Sequence, residues 1–259
     1  MAAQGLTATM PRYDFRSPRL HVEAALMSGH TLDLDPAQAN YLRNVLRLKA
    51  GAPVLVFNGR DGEWHATLAD RGKRALSLAL GERSRAQTAP LDLHYLFAPL
   101  KHARLDYMVQ KAVEMGTSRL QPVLTRHTQV TRVNLERMQA NAIEAAEQCG
   151  ILTLPEIAAP ISLERLLAER TPERLLIFCD EDAEVKDPLA ALAAVRSGST
   201  PMPLAVLIGP EGGFAEDERG TLLRAPNAVR LALGPRILRA DTAAVAALAL
   251  VDAVLGDWR

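Results

Sequence analysis

Residues 204–218 read Leu-Ala-Val-Leu-Ile-Gly-Pro-Glu-Gly-Gly-Phe-Ala-Glu-Asp-Glu, which places an apolar run, a glycine-rich turn and an acidic run in succession. Residues 204–208 are all apolar, as is typical of a strand that is covered on both faces. The run stops at Gly209-Pro210, and acidic residues 216–218 stand where a helix dipole favours negative charge. Open α/β sheets bind ligands where strands end in such turns. The stretch therefore predicts either a ligand-binding loop or a tight strand-to-helix connection without a ligand.

A second stretch repeats this arrangement about twenty-five residues later in the chain. Residues 229–233 form an apolar run that predicts a strand, and Gly234-Pro235 breaks it. A long apolar helix is expected from about Thr242, with Asp241 as its N-cap. Two strands that end in similar loops within one sheet strengthen the prediction of a ligand site.

The two Gly-Pro segments also carry a family resemblance. Residues 208–214 (Ile-Gly-Pro-Glu-Gly-Gly-Phe) and 233–239 (Leu-Gly-Pro-Arg-Ile-Leu-Arg) resemble the hallmark pair of the SPOUT class of methyltransferases. Within that class, they are most similar to the ribosomal RNA small subunit methyltransferase E family. The resemblance extends from Arg12 to Ala247 and is densest at these loops. It implies a PUA-like N-terminal β-barrel followed by a SPOUT-type α/β domain with a trefoil-knotted, largely parallel sheet.

The resemblance further implies a function. The expected reaction is methylation of N3 of uridine 1498 in 16S ribosomal RNA, with S-adenosylmethionine as the methyl donor and the small ribosomal subunit as the partner. A homodimer without a metal is expected, because SPOUT enzymes pair through the C-terminal region. Two alternatives remain open: a non-catalytic RNA-binding protein of ribosome assembly, and a SPOUT methyltransferase that acts on another RNA.

Site residues follow from the same resemblance. Arg239 is the candidate for stabilising negative charge on the base, with a structural salt bridge to Glu211 as the alternative. Glu211 is a second catalytic candidate, which either contacts the cofactor or braces its loop. The expected cofactor-binding residues are Ile208, Gly209, Pro210, Glu211, Gly212, Gly213, Leu233, Gly234, Ile237, Leu238 and Thr242. The expected RNA-binding residues are Arg12, Phe15, Arg16, Lys101, Arg104 and Lys111.

The chain departs from the family pattern at two places. Ile151 follows Gly150 where the family usually has an arginine, and Ala240-Asp241 replaces the usual Thr-Glu. The first departure weakens the prediction that the loop after Gly150 grips the substrate. The second puts in doubt any role of the Asp241 carboxylate as a proton acceptor.

Composition sets the outer bounds of these predictions. The 259 residues carry no formal net charge, yet residues 1–130 carry +6 and residues 131–259 carry −6, which predicts a basic face for a polyanion. Cys149 and Cys179 are the only cysteines, so neither a disulfide framework nor a zinc site is indicated. No secretory signal or membrane span is apparent, so a cytoplasmic protein is expected. The dinucleotide, Walker and serine-hydrolase motifs are absent from the sequence.

Periodicity divides the chain into residues 1–83 and residues 84–259. The first part contains five short predicted strands (19–23, 30–34, 53–57, 63–68 and 75–80), which predict a small closed barrel. A helix over residues 36–48 is expected to be capped by Asp35 and to bury Tyr41, Leu42, Val45 and Leu46. In the second part strands and helices alternate, which favours a largely parallel sheet. Strands are expected at 91–98, 120–124, 175–178, 204–208 and 229–233, and helices at 105–115 and 134–148.

Overall fold

The computed structural model of the protein describes residues 14, 16–72, 75–130, 132–184, 187–196 and 202–258. The chain forms two units, residues 1–88 and residues 89–259. The expected boundary after residue 83 falls inside a strand, because polar residues 82–85 prolong the last strand of the first unit to Arg85. Arg12 and Phe15, which were predicted to contact RNA, lie outside the described residues.

The first unit is built on a five-stranded sheet. The strands are β1 (Arg19–His21), β2 (Thr31–Asp33), β3 (Pro53–Phe57), β4 (Glu63–Asp70) and β5 (Leu76–Arg85). All five lie at the positions that the sequence predicts. They run in the order β1-β3-β4-β5-β2, and every neighbouring pair is antiparallel except β1 with β3.

The helix of the first unit begins as predicted but does not continue as a regular α-helix. Asp35 caps α1 (Pro36–Asn40), since its carboxylate accepts a hydrogen bond of 2.8 Å from the backbone amide of Gln38. The chain then widens into a π-helical turn over Tyr41–Val45. The wider turn breaks the 3.6-residue periodicity. Leu42 is fully buried, but Val45 is 62% exposed, so its predicted burial is wrong.

The second unit is built on a parallel sheet. The strands are β6 (Leu93–Phe97), β7 (Arg119–Leu124), β8 (Glu156–Ile157), β9 (Ile161–Ser162), β10 (Leu175–Cys179), β11 (Leu204–Ile208) and β12 (Ala228–Leu231). Their order in the sheet is β12-β10-β11-β6-β7-β8, with β9 paired to β7, and every one of these pairs is parallel. The helices are α2 (His102–Glu114), α3 (Leu135–Cys149), α4 (Leu163–Glu169), α5 (Pro188–Ala194), α6 (Glu216–Arg224) and α7 (Ala240–Val254).

Strand β11 occupies the centre of this sheet, between β10 and β6, and all five of its residues are buried. Its wholly apolar sequence suits this position, because helices cover both faces of a parallel sheet. The predicted strands and the helices at α2 and α3 are confirmed to within a few residues, and so is the largely parallel sheet. The carboxyl ends of β10, β11 and β12 therefore meet at one edge. The trefoil knot stays a prediction from the family resemblance.

The start of α7 differs from the prediction. The helix begins at Ala240, so Arg239 occupies the N-cap position and Asp241 lies in the first turn. The carboxylate of Asp241 accepts a 2.8 Å hydrogen bond from the amide of the adjacent Thr242. Asp241 is therefore not the N-cap, although its negative charge still suits the helix N-terminus.

None of the helices in the described ranges combines the length and the apolar character that a crossing of the lipid bilayer requires.

Candidate functional site

A cavity of the second unit lies at the carboxyl ends of three neighbouring strands. It has a volume of about 680 Å³ and is lined by the loops that follow β10, β11 and β12, together with the start of α7. This volume is within the usual range of small-molecule sites. The wall consists of Arg104, Cys179, Asp180, Glu181, Ile208, Gly209, Pro210, Glu211, Gly212, Leu231, Ala232, Leu233, Gly234, Pro235, Arg236, Ile237, Leu238, Arg239, Ala240 and Ala243.

Most residues that the sequence assigned to a cofactor pocket lie on this wall. The exceptions are Gly213 and Thr242, which do not line the cavity. Thr242 is exposed on the outer side of the first turn of α7, and Ala240 and Ala243 present the inner side. Helix α7 begins two residues earlier than predicted, which places Thr242 on this outer side, and its contact with the cofactor stays a prediction.

The first Gly-Pro loop is fixed by hydrogen bonds from outside the loop. The buried carboxylate of Glu218 accepts bonds from the backbone amides of Ala215 (3.0 Å) and Arg126 (2.8 Å). Arg126 also pairs with Asp217 at 2.5 Å. His127 places Nδ1 3.2 Å from the carbonyl oxygen of Gly212 and 3.0 Å from that of Gly213. The turn that follows β7 thus holds the loop that follows β11.

Close packing explains two glycines in this loop. A Cβ atom at Gly209 would lie 3.0 Å from ring atoms of Phe214, which is itself buried in the core against Phe178. Gly213 has a φ of +70°, and a Cβ atom there would lie 2.0 Å from the Glu181 carboxylate. The loops after β10 and β11 are therefore in direct contact.

The loop after β10 is a part of the site that the sequence reading missed. Asp180 follows the strand directly, is buried, and accepts bonds from Arg219 (3.0 Å) and Arg230 (2.8 Å). The two guanidinium groups balance the buried charge of Asp180. The available signal was the acidic run at residues 180–182, which begins two positions after the end of the predicted strand 175–178. Burial raises the pKa of the neighbouring Cys179 thiol to about 12, so this thiol stays protonated and is a poor nucleophile.

The second Gly-Pro loop is open by comparison. Gly234 has a φ of +95°, and no atom would lie within 4 Å of a Cβ atom at this position. Three side chains that follow it, those of Arg236, Ile237 and Arg239, are exposed, and Ile237 is 90% exposed. This loop contributes an apolar surface and two guanidinium groups to the cavity.

Glu211 forms an ion pair with Arg104 of α2, which links the first loop to the second unit's first helix. The alternative in which Glu211 pairs with Arg239 is therefore wrong in this structure. Arg104 was predicted to contact RNA, but its charge is shared with Glu211 at the rim of the cavity. The catalytic roles of Arg239 and Glu211 stay predictions.

A smaller cavity of about 360 Å³ adjoins the first and shares three wall residues with it: Arg104, Pro210 and Glu211. The remaining wall consists of Pro99, Leu100, Lys101, His127, Gln129 and Val130. The Arg104–Glu211 ion pair therefore stands at the border between the two cavities. Two adjoining cavities suit a reaction between two bound molecules.

The predicted RNA-binding residues that the structure describes are distributed over both units. Arg16 is exposed in the first unit, and Lys101 is exposed at the N-cap of α2. Lys111 donates to both carboxylate oxygens of Glu114, at 2.6 and 2.8 Å, and lines neither cavity. Its charge is already satisfied within α2, so Lys111 is a weaker candidate than Lys101.

The larger cavity has the features that S-adenosylmethionine requires. Apolar side chains of Ile208, Leu233 and Leu238 offer a surface for a flat base, and the adjacent glycine-rich loops bring main-chain groups to the wall. The carboxylates of Glu181 and Glu211 offer negative charge to a cationic ligand. The absence of a side chain at Gly234 leaves open space in the cavity that a ligand can occupy. The residues present therefore fit this cofactor.

Comparisons with known proteins agree with this geometry. A family model described as an RNA methyltransferase domain matches residues 87–252, and one described as an RNA methyltransferase PUA domain matches residues 34–80. Ribosomal RNA small subunit methyltransferase E of Rickettsia conorii is 32% identical, over 90% of this chain and 94% of the relative. The protein of the same name from Synechocystis is 33% identical, over 92% of this chain and 78% of the relative.

A solved structure extends the likeness to three dimensions. The crystal structure of a ribosomal RNA small subunit methyltransferase E from Neisseria gonorrhoeae, bound to S-adenosyl methionine, matches with a TM-score of 0.82. Its sequence is 27% identical, and the match covers 94% of this chain and 100% of that chain. The expected PUA-like first unit and methyltransferase second unit are both confirmed. The chain belongs to the ribosomal RNA small subunit methyltransferase E family.

Proposed function

We propose that this protein transfers a methyl group from S-adenosylmethionine to N3 of a uridine in 16S ribosomal RNA, at the position numbered 1498 in the family. The observation that carries the proposal is the cavity walled by both Gly-Pro loops at the carboxyl ends of β10, β11 and β12. Family membership supports a methyltransferase rather than a non-catalytic RNA-binding protein.

In this proposal the two loops hold the methyl donor. When bound, S-adenosylmethionine supplies a methyl group on a sulfonium, which is already activated for transfer. The protein's task is then to orient donor and acceptor, because fixed geometry removes much of the entropic cost of the reaction. The hydrogen bonds from Glu218 and His127 keep the first loop in place for this purpose.

Arg239 is proposed to act on the acceptor base. Loss of the N3 proton and attack by N3 place electron density on the flanking carbonyl oxygens of uracil. A guanidinium beside those oxygens stabilises this state more than the neutral ground state. Arg239 lies on the cavity wall with an exposed side chain, so it is accessible to a second ligand. Arg236, in the same loop and also exposed, is the competing candidate.

Capture of RNA and pairing of subunits belong to the same proposal. Arg16 and Lys101 are exposed cations that suit phosphate contacts, and the uridine must be unpaired because N3 faces its partner base in a duplex.

A homodimer through α7 is proposed, since partly exposed apolar side chains such as Leu250 remain on this helix. The trefoil knot and the cytoplasmic location are proposed on the family resemblance alone.

Deletion of the gene tests this proposal in cells. Mass spectrometry of nucleosides from 16S ribosomal RNA is expected to lose N3-methyluridine on deletion and to regain it when the wild-type gene is restored. Unchanged N3-methyluridine after deletion would reject the proposed reaction. Loss of a methyl group from transfer RNA instead would favour the alternative SPOUT substrate.

A further inference from the structure

The proposed reaction needs an acceptor for the proton on N3 of uridine. N3 is protonated at neutral pH, so it becomes a good nucleophile only when this proton departs before or during methyl transfer. The proton acceptor must reach N3 of the uracil while N3 also faces the methyl group of S-adenosylmethionine. The second cavity shares a wall with the larger cavity, so a uracil bound there would lie next to the methyl donor.

His127 lines this second cavity, and its hydrogen bonds fix its tautomer. Nδ1 contacts the carbonyl oxygens of Gly212 and Gly213 at 3.2 and 3.0 Å. A carbonyl oxygen only accepts, so Nδ1 carries the hydrogen. In the neutral imidazole the other ring nitrogen, Nε2, then holds an unshared pair of electrons. This is the form that a general base requires.

Packing holds the ring in this orientation. A Cβ atom at Gly212 would lie 3.4 Å from Cβ and 3.8 Å from Nδ1 of His127, so the imidazole lies directly against the glycine-rich loop. The turn that carries His127 is closed by a hydrogen bond of 2.9 Å, which the backbone amide of Thr125 donates to the side-chain hydroxyl of Thr128. In hydrolases, too, a third group orients the histidine that acts as the base. Here the carbonyl oxygens that accept from Nδ1 would have this orienting role.

The charges around the cavity suit a uracil that loses its N3 proton. Lys101 and Arg104 face it from the start of α2, and Glu211 faces it from the loop after β11. Arg126, beside His127, is paired with Asp217. Because Glu211 is paired with Arg104, its carboxylate is the weaker candidate for accepting the proton. Lys101 adds a cation that stabilises developing negative charge on uracil.

From this geometry we propose that the acceptor uracil occupies the second cavity and that His127 is the catalytic base that removes its N3 proton. The N3–H bond breaks as Nε2 takes the proton, and the electron pair left on N3 forms the bond to the methyl carbon. The carbon–sulfur bond breaks, and its electrons return to sulfur as a neutral thioether. The exposed imidazolium then releases its proton to water. This inference rests on the proposed function.

The test compares His127→Asn with the wild-type enzyme. Asparagine keeps an N–H donor near the position of Nδ1 and so preserves the contact with Gly212 and Gly213, but it lacks a proton acceptor equivalent to Nε2. Rates are measured in single turnovers with saturating S-adenosylmethionine and small subunits from deletion cells. His94→Asn is the matched control, because His94 lies in β6 and lines neither cavity.

At neutral pH we expect His127→Asn to be slower than wild type by about 100-fold or more, the usual scale for general base catalysis. The gap should narrow as the pH rises, because N3 then ionises without help. His94→Asn should match the wild type throughout. The affinity of His127→Asn for S-adenosylmethionine should equal that of the wild type, which separates a lost base from a displaced loop.

Two results would overturn the inference while leaving the proposed function intact. One is a wild-type rate for His127→Asn, and the other is a deficit of constant size at every pH, which indicates a positioning role. If the wild-type protein forms no N3-methyluridine at all, the proposed function fails and this inference fails with it.

Discussion

The loop at residues 209–215 is held from several sides, whereas the loop at residues 232–239 is held mainly at its ends. Glu218, His127 and Phe214 each fix the first loop through a hydrogen bond or a close contact. In the second loop a Cβ atom at Gly234 would meet no atom within 4 Å, and the side chains at 235–237 are exposed. Similar sequences thus produce one loop that is held by hydrogen bonds and packing and one loop that is open to the cavity.

This difference teaches that a glycine can serve two purposes in one site. Gly209 is required because the buried Phe214 ring occupies the space of a side chain, so its role is in packing. Gly234 is surrounded by open space and lines the cavity, so its role is to leave room for a ligand. Substitutions in the first loop should therefore reduce stability, and substitutions in the second should reduce binding or turnover.

The largest effect is expected for Gly234→Val. A branched side chain would project into the cavity, so the affinity for S-adenosylmethionine should fall by more than about 100-fold, which is a loss of about 2.7 kcal/mol. Isothermal titration calorimetry without RNA measures this. The matched control is Gly116→Val, because Gly116 also has a positive φ (+75°) and open space but lies outside the cavity.

Gly116→Val should show the same backbone strain with unchanged cofactor affinity. Unchanged affinity in Gly234→Val would mean that the open loop does not face the cofactor, and the comparison between the loops would break.

The next effect concerns turnover. Arg239→Ala should lower the single-turnover rate by about 100-fold, the usual scale for loss of one donor that stabilises charge, with little change in cofactor affinity. Arg236→Ala, in the same open loop, is the control and should retain most of the rate. Arg239→Lys should recover only part of the activity, because lysine lacks the planar fork of arginine.

If Arg236→Ala loses the rate and Arg239→Ala keeps it, the catalytic role passes to Arg236. A wild-type rate in both variants would show that neither arginine of the second Gly-Pro loop takes part in the chemical step.

A moderate effect is expected in the braced loop. Gly209→Ala should lower the free energy of unfolding by about 1–3 kcal/mol, because the Phe214 ring must shift within the core. Urea denaturation followed by circular dichroism measures this. Gly220→Ala, in α6, is the control: a helix interior gains from alanine, and the nearest atoms belong to the flexible end of Arg224.

Gly220→Ala should therefore raise the free energy of unfolding by up to about 1 kcal/mol. If Gly209→Ala is as stable as the wild type, the first loop is less tightly packed than the close contact with Phe214 indicates.

The smallest effect is expected at the two lysines of the α2 region. Lys101→Gln should reduce the slope of log affinity for RNA against log salt by about 1, since one phosphate contact is lost. Lys111→Gln should leave the slope nearly unchanged, because Lys111 is paired with Glu114. Fluorescence anisotropy across a salt series separates the two. Equal slopes for both variants would show that the second cavity does not face the RNA backbone.

How far the sequence predicts this structure depends on how local each signal is. The wholly apolar β11 and the capping of α1 by Asp35 rest on neighbouring residues, and both were predicted correctly. Burial of Val45 was predicted wrongly because a π-helical turn changes the periodicity. The two-residue strand β8 is too short to produce a periodic pattern and was not predicted.

The parts of the site that carry family motifs could be predicted from the sequence. The parts that depend on residues far apart in the chain could not. The Gly-Pro loops carried the resemblance, and most of their residues line the cavity. Asp180 and His127 reach the site from other strands, and neither lies in a motif that announces it. Their partners, Arg219 and Gly213, are 39 and 86 positions away, so only the folded sheet brings them together.

The most direct test of the account is the identity of the nucleoside that the purified protein methylates. Small subunits from deletion cells would be incubated with the protein and labelled S-adenosylmethionine, and the digested 16S ribosomal RNA would be resolved by liquid chromatography and mass spectrometry. We expect one labelled nucleoside, N3-methyluridine, with wild-type protein and a greatly reduced amount with Arg239→Ala or Gly234→Val. Label in any other nucleoside, or none with the wild-type protein, would contradict it.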